Sequence, residues 1–467
     1  MHAFPAPPMS PPAQLAPAES DWKAAVDAAL RDPCLRSATV GIVVRRVPLG
    51  EILLSRNADR ALIPASNQKL ATAAAALALL GPDHRHRTRV VGAPGAVWLV
   101  GDGDPTVTTT DLGRLARSTA ERLPRGARIV VHADESVFEP DHLGAAWQWD
   151  DEVYGFSAPF GGLVRDRSTA TVTVRPGPAG TRARIDFPRG AGLLEGTVTC
   201  VPGTEARIVV SRDHSTQGTV VSGTLGTDAG TWTSEFAVVD PARWALAGFV
   251  DALRSEGVDA EEGCVCAAPS TATPVADHLS EPLSRRIREF LMPSDNLFGE
   301  CLLRTLGRGS FGQGTAGAGA IQVRRWCEER GLPLAGVHIA DGSGLSMHDS
   351  LTSDFVAALL LDRASDPAFV GAFPTAGKDG TMRSRLAGTF GEGRVVAKTG
   401  TLSVASSLSG YVRTRAGETV VFSLLMNQFD RSSGSRAARA VQDRVVLALL
   451  EIPPVRSSRR QSERSIR

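Results

Sequence analysis

Ser66 and Lys69 stand three residues apart in "IPASNQKLATAAAALALLG", residues 63 to 81. On a helix that spacing puts both side chains on one face within one turn. A serine hydroxyl becomes a nucleophile only beside a base. A lysine serves as that base when desolvation or nearby positive charge lowers its pKa. The chain carries only four lysines, Lys23, Lys69, Lys378 and Lys398, within a Lys plus Arg total of 51. Arginine, used almost everywhere else, stays protonated in proteins and cannot fill this role. A helix N-terminus at Ser66 adds partial positive charge and free N–H groups for an oxyanion.

Two further segments extend this chemistry. "MPSDNLFGE" holds Ser294, Asp295 and Asn296, and "VVAKTGTLS" holds Lys398, Thr399, Gly400, Thr401 and Ser403. Together with Ser-x-x-Lys they form, in order, the three elements of serine-active penicillin-recognising sites. Two of the four lysines occupy its two lysine positions. Ser294 and Asn296 present a hydroxyl and an amide from a loop, suited to relaying a proton to a leaving amine and holding a substrate amide. Lys398 adds positive charge at a strand end, and Thr399 and Thr401 offer hydrogen bonds to a substrate carboxylate, with Ser403 as a further substrate contact. Gly400 is expected to let substrate backbone approach that strand, as in β-strand addition. The N–H groups of Ser66 and Thr401 are the candidate oxyanion hole.

The elements that must hold these groups come from several parts of a 467-residue chain, too long for one core. Helix "DWKAAVDAALRDP" and a hairpin around "PLG" precede the Ser66 segment, with Pro64 before its helix and Gly81-Pro82 after it. Short strands and turns follow to about residue 270, densest and all-β over 169–229. "GDGDPT" lacks the spacing and following helix of a phosphate cradle and reads as a structural turn. Helices return from about 277, and the chain closes on an antiparallel pattern and a last helix.

The pattern predicts a disordered Pro/Ala-rich leader over 1–20 and a first domain over 21–88. An inserted α/β domain follows over 89–168 and 230–276, with a β domain nested in it at 169–229. The first domain resumes over 277–452, ahead of a disordered basic tail at 453–467. The N-terminal hairpin and the late strands are expected to share one sheet, making the first domain discontinuous.

Composition narrows the class. Hydrophobic residues make up 42% and charged residues 22%, as in a soluble globular protein, and a net charge of +1 gives no sign of nucleic acid or membrane binding. No apolar run is long enough to span a bilayer, and the N-terminus lacks the basic and apolar regions of a secretory signal. Export is therefore expected to rely on a signal removed or lying upstream. The six cysteines, Cys34, Cys200, Cys264, Cys266, Cys301 and Cys327, show no paired knuckle or zinc-site histidine spacing. Free buried thiols are expected, with Cys200 pairing to Cys264 or Cys266 as the other option; no metal and no cofactor is expected.

From residue 22 to 450 the chain resembles the class C low-molecular-mass penicillin-binding proteins, which are D-alanyl-D-alanine carboxypeptidases and endopeptidases. Beyond the three motifs the resemblance lies in "RNADRALIPASNQKLATAAAALALLG", "LVGDGDPT", "DESVFEPDHLGAAWQWDDEVYG", "IADGSGLS" and "GKDGTMRSRLAG". It implies a multidomain α/β protein: a penicillin-binding, serine β-lactamase-like domain, an antiparallel sheet covered by helices, with two nested insertions. The separation of 228 positions between Ser66 and Ser294 fits that insertion, whereas a class A β-lactamase is much shorter.

The resemblance further implies acyl transfer on peptidoglycan stem peptides, with Ser66 as nucleophile, Lys69 as base and slow-leaving β-lactams as inhibitors, outside the cytoplasm. It also implies a stem-peptide side-chain pocket using Trp147 and Asp150 of "WQWDDEVY", residues for which ordinary packing is the competing reading. The family commonly has Arg after "DGSGLS"; this chain has Met347. A β-lactamase or esterase output from the same serine, or a weakly catalytic wall-binding role, are the alternatives. Oligomeric state is not legible.

Overall fold

A computed structural model describes residues 22–124, 126, 128–430, 432 and 434–455. The expected leader, and the tail beyond residue 455, lie outside the described residues. The central sheet has five antiparallel strands in the order Val395–Thr401, Ala405–Arg413, Thr419–Asn427, Thr39–Arg46 and Ile52–Arg56. The N-terminal hairpin and the late strands thus form one sheet, sewn along eight register pairs between Thr39–Arg46 and Thr419–Asn427.

Side-chain alternation in these strands feeds two cores. Val412, Val420 and Phe422 point to the face covered by Trp22–Leu30 and Gly434–Leu449, where Val26, Val441 and Val445 meet them. Tyr411 and Val421 point to the opposite face and pack with Leu70, Phe290, Phe298 and Phe355. Within that second core runs the helix Gln68–Leu79, whose residues Gln68 to Leu77 are all buried. Its run of alanines is the reason it fits: small side chains let neighbouring helices close on every side, and alanine costs least in a helix.

Between the two parts of this domain the chain builds three further sheets. The largest is mixed, in the order Asp259–Val265, Arg128–Asp134, Ala96–Val100, Arg87–Ala93 and Thr273–Leu279, and is packed against Thr109–Ala120 and Pro241–Ser255. Thr273–Leu279 runs across the expected limit at residue 276. Two small sheets share one apolar cluster. In one of them Trp232–Ala237, read from sequence as part of the returning α/β segment, pairs along its length with Thr169–Arg175. Alternation of Trp232, Ser234 and Phe236 drives this, since only Phe236 of the three is fully buried. In the "GDGDPT" turn Asp104 forms a buried ion pair of 2.9 Å with Arg286 on the helix Leu283–Leu291, joining insertion to first domain.

The cysteines depart from expectation. Cys264 and Cys266 are joined in a disulfide, while Cys34, Cys200, Cys301 and Cys327 are free and buried. The register shift between Glu262 and Val265, at the end of this strand, leaves Cys264 and Cys266 with Cα atoms 5.6 Å apart. Cys200 sits at 0% exposure and accepts the Gly177 N–H at 3.1 Å.

Candidate active site

Ser66 occupies a one-turn 3-10 segment, Ala65–Asn67, that leads directly into Gln68–Leu79. Ala65 takes a left-handed φ of 47°. For a residue with a Cβ this costs about 1–2 kcal/mol, and it turns the chain so that Ser66 faces a cleft of about 870 Å³. Ser294, also lining the cleft, has a left-handed φ of 69°. The two strained positions flank the same space.

The Lys69 Nζ lies at the centre of the site, 3.0 Å from Ser66 Oγ, 2.5 Å from Asn296 Oδ1 and 2.6 Å from the Ser343 carbonyl. Asn296 Oδ1 and the carbonyl are acceptors only. A neutral amine donates its two N–H bonds to them, and its lone pair then points at the Ser66 hydroxyl. Complete burial lowers the Lys69 pKa to about 8, against the opposing pull of Asp341, Asp295 and Glu300. Lys398 is also fully buried. Desolvation, then the charge of Lys69, drive its pKa well below the ordinary lysine value. It donates to Ser294 Oγ and to the Thr399 carbonyl, each at 2.8 Å.

The Ser294-Asp295-Asn296 segment divides three tasks. Ser294 meets Lys398. Asp295 caps the helix Asn296–Phe311 by accepting the Phe298 N–H at 2.9 Å and pairs with Arg167 of the insertion. Asn296, the first helical residue, offers its oxygen to Lys69 and donates its Nδ2 at 2.7 Å to the carbonyl of Phe156, also from the insertion.

Val395–Thr401 is an edge strand, bridged at Val396 by Thr375 while Thr399, Gly400 and Thr401 line the cleft with Ser403. Asn67 Nδ2 donates to the Lys398 carbonyl at 3.0 Å, fixing the serine turn to this strand. Gly400 is required on the protein side. A Cβ there would lie 2.1 Å from Ser407 Oγ and 2.9 Å from both the Pro64 carbonyl and the Ser66 nitrogen. This glycine thus clears room for the serine turn. Gly400→Ala is expected to cost about 1–3 kcal/mol by overpacking and to slow acylation of Ser66. Adding Ser407→Ala removes the nearest clash and should restore part of both, read by urea unfolding and penicillin labelling.

Trp147 and Asp150 do not line the cleft; Gln148 and Asp151 do. The short turn Trp149–Asp151 directs Asp150 to solvent and Asp151 inward. Trp147 instead donates Nε1 at 2.9 Å to Asp341. Asp341 lies in the "DGSG" loop and is fully buried. One of its oxygens also accepts the N–H groups of Ser343 and Gly344, and the other those of Ser346 and the Ser343 hydroxyl. Burial opposes its charge, but hydrogen bonds from Asp349, Trp147 and the loop N–H groups hold its pKa below the usual carboxylate value. Glu300, pushed up to about 7 mainly by burial, accepts the Gly342 N–H at 2.9 Å and pairs with Arg304. These two acids fix the Ser343 carbonyl against Lys69. Ser343, Asp341 and Glu300 were not singled out from sequence, although "IADGSGLS" marked the loop. Arg439 is another addition: it lines the cleft, with its guanidinium 3.4 Å from Thr401 Oγ1.

An antiparallel sheet backed by a buried serine-bearing helix, with two buried lysines converging on two serines, defines an active-site-serine enzyme of the penicillin-binding type. The model of the D-Ala-D-Ala carboxypeptidase 3 (S13) family matches residues 22–449, and the chain belongs to that family. It is a serine-type DD-carboxypeptidase, a hydrolase. Among curated relatives, the D-alanyl-D-alanine carboxypeptidase of Actinomadura sp. (strain R39) is 37% identical, over 91% of this chain and 84% of that protein. The D-alanyl-D-alanine carboxypeptidase DacB of Haemophilus influenzae is 25% identical, over 87% and 89%. The crystal structure of penicillin-binding protein 4 from Haemophilus influenzae shares the fold, with a TM-score of 0.80 at 24% identity, over 91% of this chain and 99% of that one.

Proposed function

We propose that the enzyme cleaves the terminal D-alanine from peptidoglycan stem peptides through an acyl-enzyme on Ser66, and that β-lactams trap it at that stage. The carrying observation is Lys69 Nζ, 3.0 Å from Ser66 Oγ with its other partners limited to acceptors. Ser66 Oγ attacks the carbonyl carbon of the penultimate D-Ala while its proton passes to Lys69. The oxyanion rests between the N–H groups of Ser66 and Thr401. As the C–N bond breaks, the proton held by Lys69 passes by way of Ser294, which Lys398 positions, to the leaving amine; Lys69, neutral again, then takes a proton from the water that hydrolyses the ester and returns it to Ser66 Oγ. Thr399, Thr401, Ser403 and Arg439 supply hydrogen bonds and charge for the terminal carboxylate.

The substrate adds alongside Thr399–Thr401 as an extra strand, with its amide held by Asn296. Its side chain extends toward Gln148, Asp151, Phe156 and Met347, which also line the cleft. Since the substrate is cell-wall material, the enzyme acts outside the cytoplasm. No helix among the described residues is long and apolar enough to cross a membrane.

Incubation with a peptide ending in D-Ala-D-Ala should release D-alanine, with none released by Ser66→Ala. Benzylpenicillin should leave one adduct per wild-type chain by intact mass, and none on the variant. A folded wild type that releases nothing from linear or cross-linked fragments refutes the proposal, and rapid loss of the adduct would favour a β-lactamase. The Lys69 pKa of about 8 also sets a pH profile. Protonated Lys69 cannot accept the Ser66 proton, so acylation should rise with pH through about 8. The neutral fraction is about one tenth at pH 7 and about nine tenths at pH 9, a change read by stopped-flow acylation.

A further inference from the structure

The largest inserted sheet carries a second cluster of reactive side chains, distinct from the active site. Asp259–Val265 runs parallel to Arg128–Asp134 at the sheet edge, with Glu262 opposite Val131 and Val265 opposite Ala133. Two residues, Gly263 and Cys264, therefore oppose the single residue His132. Such a bulge re-aims side chains and is a built feature. Gly263 is part of it: a Cβ there would lie 2.4 Å from His132 Nδ1, so only glycine leaves the ring its place.

The imidazole is fixed from two sides. Trp98 stacks on it with centroids 4.7 Å apart. The Cys264 backbone N–H donates to His132 Nδ1 at 3.0 Å, so Nδ1 carries the lone pair and Nε2 the proton. Cys264 Sγ and Cys266 Sγ stand 3.0 and 3.8 Å from that same nitrogen. The three donor atoms all lie within 4.8 Å of one another. Cys264 is exposed, and His132 and Cys266 are half-buried, whereas the four free cysteines are buried.

We propose that this cluster is a redox-gated site for one thiophilic metal ion, Cu(I), held by Cys264 Sγ, Cys266 Sγ and His132 Nδ1. In the disulfide form neither sulfur is a thiolate, and the site is shut. An external dithiol opens it. Two electrons and two protons break the S–S bond and give two thiols, and the dithiol leaves as its own disulfide. On ligation each thiol releases its proton and the Cys264 N–H gives up Nδ1 to the metal, turning to water at the exposed edge. Two soft sulfurs and one imidazole suit Cu(I), which is content with few soft ligands. A closed zinc site takes four, and a fourth His, Cys, Asp or Glu is not part of the described cluster.

The test uses the full chain, reduced with a phosphine under anaerobic conditions and titrated with Cu(I) against bathocuproine disulfonate. One equivalent should be retained by reduced wild type and none by the oxidised protein. Cys264→Ser and Cys266→Ser should each lose it, and His132→Ala should weaken it at least tenfold. All variants should still take up one penicillin per chain, which certifies their fold. Failure of the reduced wild type to retain Cu(I), or equal retention by the Cys264→Ser/Cys266→Ser double variant, would overturn the proposal. So would retention of Zn(II) in place of Cu(I) in a parallel titration.

Discussion

Lys69→Arg is expected to acylate no faster than Lys69→Ala, each about a thousandfold or more below wild type, the size of effect a positioned base supplies. The Arg variant keeps a cation on the same helix face but has no lone pair to offer at any working pH. The geometry sharpens the test, because Lys69 Nζ meets two pure acceptors and one hydroxyl. A guanidinium can satisfy the acceptors and hold Ser66, yet it cannot take the Ser66 proton. The slot is fully buried, so the larger head group also strains it. Circular dichroism and urea unfolding would separate misfolding from lost chemistry. Acylation by a folded Lys69→Arg within about tenfold of wild type would show that Lys69 is not the base, since a lost base costs at least a hundredfold.

The parts of the site legible in the sequence are those whose side chains act at short spacing. Ser66 and Lys69 share a turn, Ser294 and Asn296 bracket a helix cap, and the scarcity of lysine made Lys69 and Lys398 stand out against arginine. The Ser343 carbonyl was not legible, because a backbone oxygen leaves no mark on residue type. Its placement depends on Asp341 and Glu300, acids that a sequence cannot assign to one loop before the fold brings them there.

Trp147 and Asp150 show a finer limit. Within that segment a single 3-10 turn decides which neighbours face the cleft, and here they are Gln148 and Asp151. The strands were visible in alternation and turn chemistry, and so was the shared sheet of the two chain ends. The pairing of Trp232–Ala237 back onto Thr169–Arg175 was not, since partner choice is set by long-range packing. The Cys264–Cys266 bond lay hidden for a similar reason, as only the bulge opposite His132 sets those side chains.

Asp341→Asn is expected to reduce stability by about 3 kcal/mol or more and to move the acid limb of the acylation profile to lower pH. The stability loss follows from donor count. Oδ1 accepts two N–H groups, while Oδ2 accepts the Ser343 hydroxyl, the Ser346 N–H and the Trp147 Nε1–H. An asparagine presents an oxygen to one set and an NH2 to the other, leaving buried donors facing a donor. The shift follows from charge: Asp341 is the leading carboxylate that raises the Lys69 pKa against burial, so its removal lowers that pKa below about 8 and leaves more free amine at a given pH.

Asp349 opposes the shift. Burial, and then the charge of Asp341, hold its pKa well above the usual carboxylate value. Once that neighbour is neutral, Asp349 ionises more readily and replaces part of the lost charge. Asp341→Asn/Asp349→Asn removes this compensation and should move the limb further than the single change. Trp147→Phe deletes one donor but leaves the charge, so its limb should stay near wild type even if its rate falls. Stopped-flow acylation from pH 6 to 10 distinguishes these outcomes, with urea unfolding for stability. A limb unmoved in the double variant would mean that the loop positions Lys69 without tuning it.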